Sequence, residues 1–125
     1  MTIAFWCVLI AGILPYVAVG IAKIDKGYDN NAPRDWLATR EGKQKRAYAA
    51  HLNSFEAFPF FAAGVIVAHL AAAPASTVNA LAVAFVLARV VYIWCYLTNR
   101  ASMRSIVWII GVGLTIALFV IAGVH

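Results

Sequence analysis

The sequence predicts an all-α, integral membrane four-helix bundle with antiparallel up-down topology. Three observations lead there. Of the 125 residues, 64% are hydrophobic and only 12% charged, well below the charge that a soluble domain of this size carries. The apolar residues gather into four runs, roughly Thr2–Ala22, Ala47–Ala73, Val78–Leu97 and Ile106–Val124, each reaching the ~20 residues that cross ~30 Å of hydrocarbon as a helix. No run alternates in the manner of a barrel strand, and only helices or closed barrels satisfy their backbone groups inside lipid. Little chain is left over, so residues 1–125 read as a single transmembrane domain in a lipid bilayer.

The first run has the full length of a span. No basic residue precedes it, and Lys23 and Lys26 follow it, so it reads as a permanent helix and not as a cleaved leader. In the connection after it, Gly27-Tyr28-Asp29-Asn30-Asn31-Ala32-Pro33 reads as turns. Helical composition resumes over Asp35–Arg46, which extends the second helix beyond the membrane surface. The second span is rich in small residues, among them Ala47, Ala49, Ala50, Ala57, Ala62, Ala63 and Gly64. Small residues let membrane helices approach closely, so this helix suits the middle of an assembly. Pro59 removes an amide donor and crowds the carbonyl of Phe55, which predicts a kink one turn beyond Glu56. The connections after spans two and three are short, which makes spans two, three and four antiparallel neighbours. Span four is apolar apart from Thr115 and reads as the lipid-facing perimeter.

Charge sets the orientation. Lys23, Lys26, Arg34, Arg40, Lys43, Lys45 and Arg46 lie in the first connection, and Arg100 and Arg104 in the third. The second, Pro74–Thr77, has no charge. Basic residues favour cytoplasmic loops, so both termini are expected outside. The net charge of +5 then reports topology. No soluble basic face is present for nucleic acid.

Against this background Glu56 stands out, because a carboxylate in a membrane span is by default a candidate functional group. Asn53 lies on the same face three residues earlier. Arg89 lies in the third span, followed at helical spacing by Tyr92 and Tyr96. Counted along their spans, Glu56 and Arg89 both sit about 12–15 Å from the cytoplasmic surface, which predicts a structural pair between them. Arg46, Asn53 and Glu56 form one stripe, and Arg89, Tyr92, Tyr96 and Arg100 another, with Arg104 at the foot of span four. Taken singly, Arg46, Arg100, Arg104 and Tyr96 also fit as interfacial anchors. Together they line a cavity suited to a polar anionic ligand, with arginines on its carboxylates.

The other reactive side chains carry less. Cys7 and Cys95 fall near opposite ends of their spans, about 20 Å or more apart in depth, and read as packed thiols. His51 faces away from the Asn53 stripe and reads as an interhelix hydrogen bond, whereas His69 and His125 read as interfacial. No metal-ligand spacing, phosphate loop or nucleophile–base pair is visible.

The run Arg46-Ala47-Tyr48-Ala49-Ala50-His51-Leu52-Asn53-Ser54-Phe55-Glu56-Ala57-Phe58-Pro59-Phe60-Phe61 resembles the second helix of the membrane-associated proteins in eicosanoid and glutathione metabolism, the MAPEG superfamily, through its Asn-x-x-Glu-x-x-Pro core. Ala88-Arg89-Val90-Val91-Tyr92-Ile93-Trp94-Cys95-Tyr96 is similar to the family's third-helix pattern. Asp29–Arg34 and Arg100–Trp108 look like the bacterial branch, which implies a bacterial inner (cytoplasmic) membrane. The resemblance implies a homotrimer with glutathione bound between protomers in the cytoplasmic half. Asn53, Glu56, Tyr92, Tyr96 and Arg104 would line the site, and Arg104 would be the catalytic residue that stabilises the thiolate. Two family arginines are missing: the position four residues before Asn53 is Ala49, and the end of span one offers only Lys23 and Lys26. The implied function is a glutathione-dependent transferase or peroxidase acting on a lipophilic small molecule. The alternative is a non-catalytic lipid- or partner-binding scaffold in which Glu56 and Arg89 are purely structural, since fold does not fix function.

Overall fold

The computed structural model describes every residue from Met1 to His125. It contains α1 (Ile3–Ala22), α2 (Pro33–Ala38), α3 (Gly42–Leu70), α4 (Ala75–Leu97) and α5 (Ala101–Gly123). The four long helices are each long and apolar enough to cross a membrane, and the fold is an all-α four-helix membrane bundle. α3 begins five residues before the apolar run, because its first turn is polar and projects past the hydrocarbon. α3 also continues through Pro59 as one uninterrupted element.

α1 packs on α3 through a seam of small residues. Its buried positions are Ala4, Cys7, Ala11, Pro15, Ala18 and Ala22, which recur every three or four residues and so fall on one face. On α3 the buried positions are Ala47, Ala50, Ser54, Phe61, Gly64, Val65 and Ala68, of which Phe61 stacks on Phe85 of α4 and Gly64 is turned to Leu118 and Phe119 of α5. Without a hydrophobic drive between helices in lipid, this close fit is what holds them. α3 and α4 pack together, α5 covers both, and α1 and α5 have no substantial contact. They therefore flank α3 and α4 from opposite sides. The bulkiest core group is the Phe61–Phe85 stack, with ring centroids 3.9 Å apart, sealed by Val65 and Leu118. On α5, Ile106, Ile109, Ile110 and Ile116 are exposed.

Both short connections end their helices in the same way. After α3, Ala72 has φ +56°, and the amides of Ala72 and Ala73 donate to the carbonyls of His69 and Ala68. After α4, Asn99 has φ +58°, and the amides of Asn99 and Arg100 donate to Tyr96 and Cys95. These are paired left-handed caps that satisfy orphan carbonyls and reverse the chain.

The short helix α2 was not anticipated as a separate element. Pro33 opens it, Leu37 is buried against Ala22 and Ala47, and Trp36 meets the edge of Tyr28 with centroids 5.0 Å apart. Gly42, at φ +61°, supplies the left-handed turn that separates α2 from α3. Asp25 ties the connection down. Its carboxylate accepts from the Gly27 amide at 3.0 Å and from Arg40 Nη1 at 3.2 Å.

Candidate functional site

The predicted polar residues of α3 and α4 converge on one side of the bundle, toward its basic end. A cleft of about 190 Å³ is lined by Asn53, Glu56, Arg89, Trp108 and Thr115. It adjoins a wider one of about 410 Å³, lined by Asn53, Tyr92, Tyr96, Arg104 and Trp108. The helical spacing of Arg89, Tyr92 and Tyr96 stacks these side chains along α4. The Arg89 guanidinium lies 4.1 Å from the Tyr92 ring centroid, the two tyrosine rings meet edge-on at 5.4 Å, and Arg104 lies 4.2 Å from the Tyr96 ring. Two cations thus end a ladder of two phenols. Arg104 is half-buried, and its charge faces the wider cleft.

The expected Glu56–Arg89 ion pair is not formed. The two ion pairs in the chain are Arg40–Asp25 and Lys45–Glu41. Arg89 is buried, and its Nη2 donates to Asn53 Oδ1 at 2.8 Å and to Ser54 Oγ at 3.5 Å. The reason is azimuth. Residues advance about 100° around a helix, so Ser54 and Glu56 point well apart. Arg89 enters between Asn53 and Ser54, on the face that α3 turns to α4. Glu56 shares its depth but stays exposed on the rim of the cleft.

Arg46 is used elsewhere. Its Nε donates to the Tyr96 carbonyl at 2.9 Å and its Nη2 to the Leu97 carbonyl at 3.4 Å, so it caps α4 and pins the start of α3 to it. Arg100 is exposed and lies 4.9 Å from the ring of Trp94. His51 donates from Nδ1 to the Pro15 carbonyl at 2.7 Å, bonding α3 to α1. Both cysteines are buried and unpaired.

Three contributors went unremarked in the sequence. Ser54 holds Arg89 while donating to the Ala50 carbonyl. Trp108 walls both clefts. Asn79, near the opposite end, accepts from the Ala4 amide at 2.9 Å. Of these, Ser54 and Asn79 could have been suspected as lone polar residues in apolar runs, whereas Trp108 carries no comparable signal.

A second groove, of about 570 Å³, lies on the other side of α3, between α1, α2 and α3. Tyr16, Lys23, Arg34, Tyr48 and His51 line it.

Searches of curated proteins and of solved structures return no significant match. A family model described as MAPEG family matches residues 3–124. With four membrane-length helices and that match over nearly all of its length, the chain is a multi-pass membrane protein and belongs to the MAPEG family, the membrane-associated proteins in eicosanoid and glutathione metabolism.

Proposed function

We propose that the protein is a glutathione-dependent transferase or peroxidase acting on lipophilic electrophiles. It would work as a homotrimer of single-domain, four-helix protomers in a bacterial inner membrane, with both termini outside. One observation carries the reading: a membrane-depth cleft collects a carboxylate, an amide, two phenols and a cation, all on one side of the bundle. A lone carboxylate on a membrane span is unfavourable, and Glu56, exposed on the rim of the cleft, has no ion-pair partner within its own chain. An ammonium group of a ligand answers that need.

The residues fit a thiol tripeptide. Glu56 would receive the ammonium, Asn53 would offer its remaining donors to the peptide, and Tyr92 and Tyr96 would floor the cleft. A volume of about 410 Å³ falls in the range of small-molecule sites. When bound, glutathione supplies a nucleophilic sulfur. Arg104 would hold that sulfur as the thiolate, since a neighbouring guanidinium favours the ionised thiol. The apolar faces of α5 open laterally, where a lipophilic co-substrate would arrive from the bilayer.

The test is direct. Adding glutathione to the purified assembly should release heat in calorimetry and produce thiolate absorbance in the ultraviolet. Arg104→Ala should lose the absorbance while the assembly stays intact. No heat with millimolar glutathione would sink the enzyme reading and leave a lipid- or partner-binding scaffold.

A further inference from the structure

The groove between α1, α2 and α3 has no part in the function proposed above. It measures about 570 Å³, carries the cations Lys23 and Arg34 on its wall, and is lined by no carboxylate. Neither cation enters an ion pair. Two acidic groups of the same connection are already engaged, Asp25 by Arg40 and Glu41 by Lys45. The groove thus presents two positive charges without a paired anion.

Both charges are held in place. α2 is anchored through Leu37, buried against Ala22 and Ala47. Arg34, exposed on that helix, therefore projects from a fixed platform. Lys23 Nζ lies 5.2 Å from the Tyr28 ring centroid, and Tyr28 in turn meets Trp36 of α2. The two cations belong to one packed unit at the basic end of the bundle.

Deeper in the groove the lining changes character. Tyr48 and His51 stack with centroids 5.9 Å apart, His51 meets Phe55 edge-on at 5.0 Å, and Phe55 meets Tyr16 edge-on at 5.5 Å. These four rings make a continuous aromatic strip along the groove. His51, bonded to the Pro15 carbonyl, ties the strip to α1, while Tyr16 and Phe55 are exposed. Tyr16 precedes Lys23 by seven residues, and Phe55 follows Tyr48 by seven, so the strip descends about 10 Å along both helices. The headgroup layer of a bilayer is roughly 5–8 Å thick on each side. The groove therefore passes from headgroup level into hydrocarbon.

A soluble anion would use the cations and leave the strip idle. A phospholipid uses both, because its phosphate takes charge-assisted donors and its acyl chain takes an apolar bed at the next depth. With no carboxylate on the wall, the ammonium of a zwitterionic headgroup finds no partner, so a net-anionic lipid fits better. Basic pockets between membrane helices hold such headgroups. We infer that the groove binds an anionic phospholipid, its phosphate between Lys23 and Arg34 and one acyl chain over Phe55 and Tyr16. This assignment does not depend on the glutathione reading.

Native mass spectrometry of the intact assembly in mild detergent tests it, with equal amounts of phosphatidylglycerol and phosphatidylcholine of the same chains. A cation near the membrane surface is worth about a five-fold preference, so the pair should favour phosphatidylglycerol by roughly thirty-fold. Lys23→Ala combined with Arg34→Ala should bring the ratio close to one. Lys43→Ala, a basic change outside the groove, should keep it. Tyr16→Ala combined with Phe55→Ala should weaken retention of both lipids and leave their ratio, because head and tail are held separately.

The opposite results would overturn the assignment. No preference in the wild type removes the anionic headgroup. An equal loss with Lys43→Ala makes the attraction a property of the whole connection. Unchanged retention in the aromatic variant, or displacement of the lipid by inorganic phosphate at matched concentration, makes the groove a soluble-anion site. If the intact assembly retains neither lipid while separated chains retain phosphatidylglycerol, a second copy covers the groove and no lipid occupies it.

Discussion

At the residue scale, the decisive pairing is Arg89 with Asn53. A guanidinium this buried needs its hydrogen bonds. Asn53→Leu leaves only the long Ser54 contact and should lower stability by about 1–3 kcal/mol in thermal unfolding. Glu56→Gln touches an exposed side chain with no ion-pair partner in the protomer and should change stability by less than about 1 kcal/mol. Equal losses from the two variants would put Glu56 back as the partner of Arg89. The sequence made the depth of these groups legible, because rise along a helix is regular. It left the direction in which Arg89 leans illegible, because two residues at one height can still face apart. That angle decided between Asn53 and Glu56.

At the element scale, the caps and the seam give the next expectations. Ala72 occupies a left-handed conformation that suits glycine, while Asn99 tolerates its own. Ala72→Gly should therefore raise the melting temperature, a gain of up to about 1 kcal/mol. The same change at Asn99 should gain less. Gly64 is the opposite case. A Cβ there would lie 3.2 Å from Phe119 Cε2 and 3.3 Å from Leu118 Cβ, so Gly64→Val should push α5 off α3 and cost about 1–3 kcal/mol. The first connection adds a pH dependence. The Gly27 amide, and then Gln44 and Arg40, hold the Asp25 carboxyl below its ordinary value of 3.8 despite the opposing effect of desolvation. A lowered carboxylate stabilises above its unfolded value and stops doing so as pH falls through the folded one. Proteolysis of the Lys23–Glu41 segment should stay slow at neutral pH and quicken only in acid below the usual Asp range. Asp25→Asn should be cut quickly at neutral pH as well. The four long helices were readable because hydropathy integrates over twenty residues. α2 was not, since six residues give no periodicity and its stability comes from Leu37 and Trp36 packing on distant parts of the chain.

At the scale of the whole molecule, α3 is central, touching every other helix, with a polar cleft on one side and a cationic groove on the other. Mass measurement in mild detergent should return three chains, and a stable monomer would remove any site built between protomers. A reporter fused after His125 should be silent in the cytoplasm, and cytoplasmic activity would invert the assigned orientation. The far end of the bundle has a consequence for biogenesis. The first turn of α1 is closed by Thr2, which accepts from Phe5 and meets His69 of α3 at 2.8 Å, and by Asn79 of α4, which receives the Ala4 amide. A growing chain that has released only α1 and α3 can dock the small-residue seam, but the Ala4 amide still has no side chain to receive it. It gains that acceptor, Asn79, only when α4 has been synthesised and inserted. α1 is thus secured late, by a residue made seventy-five positions after the amide it accepts from.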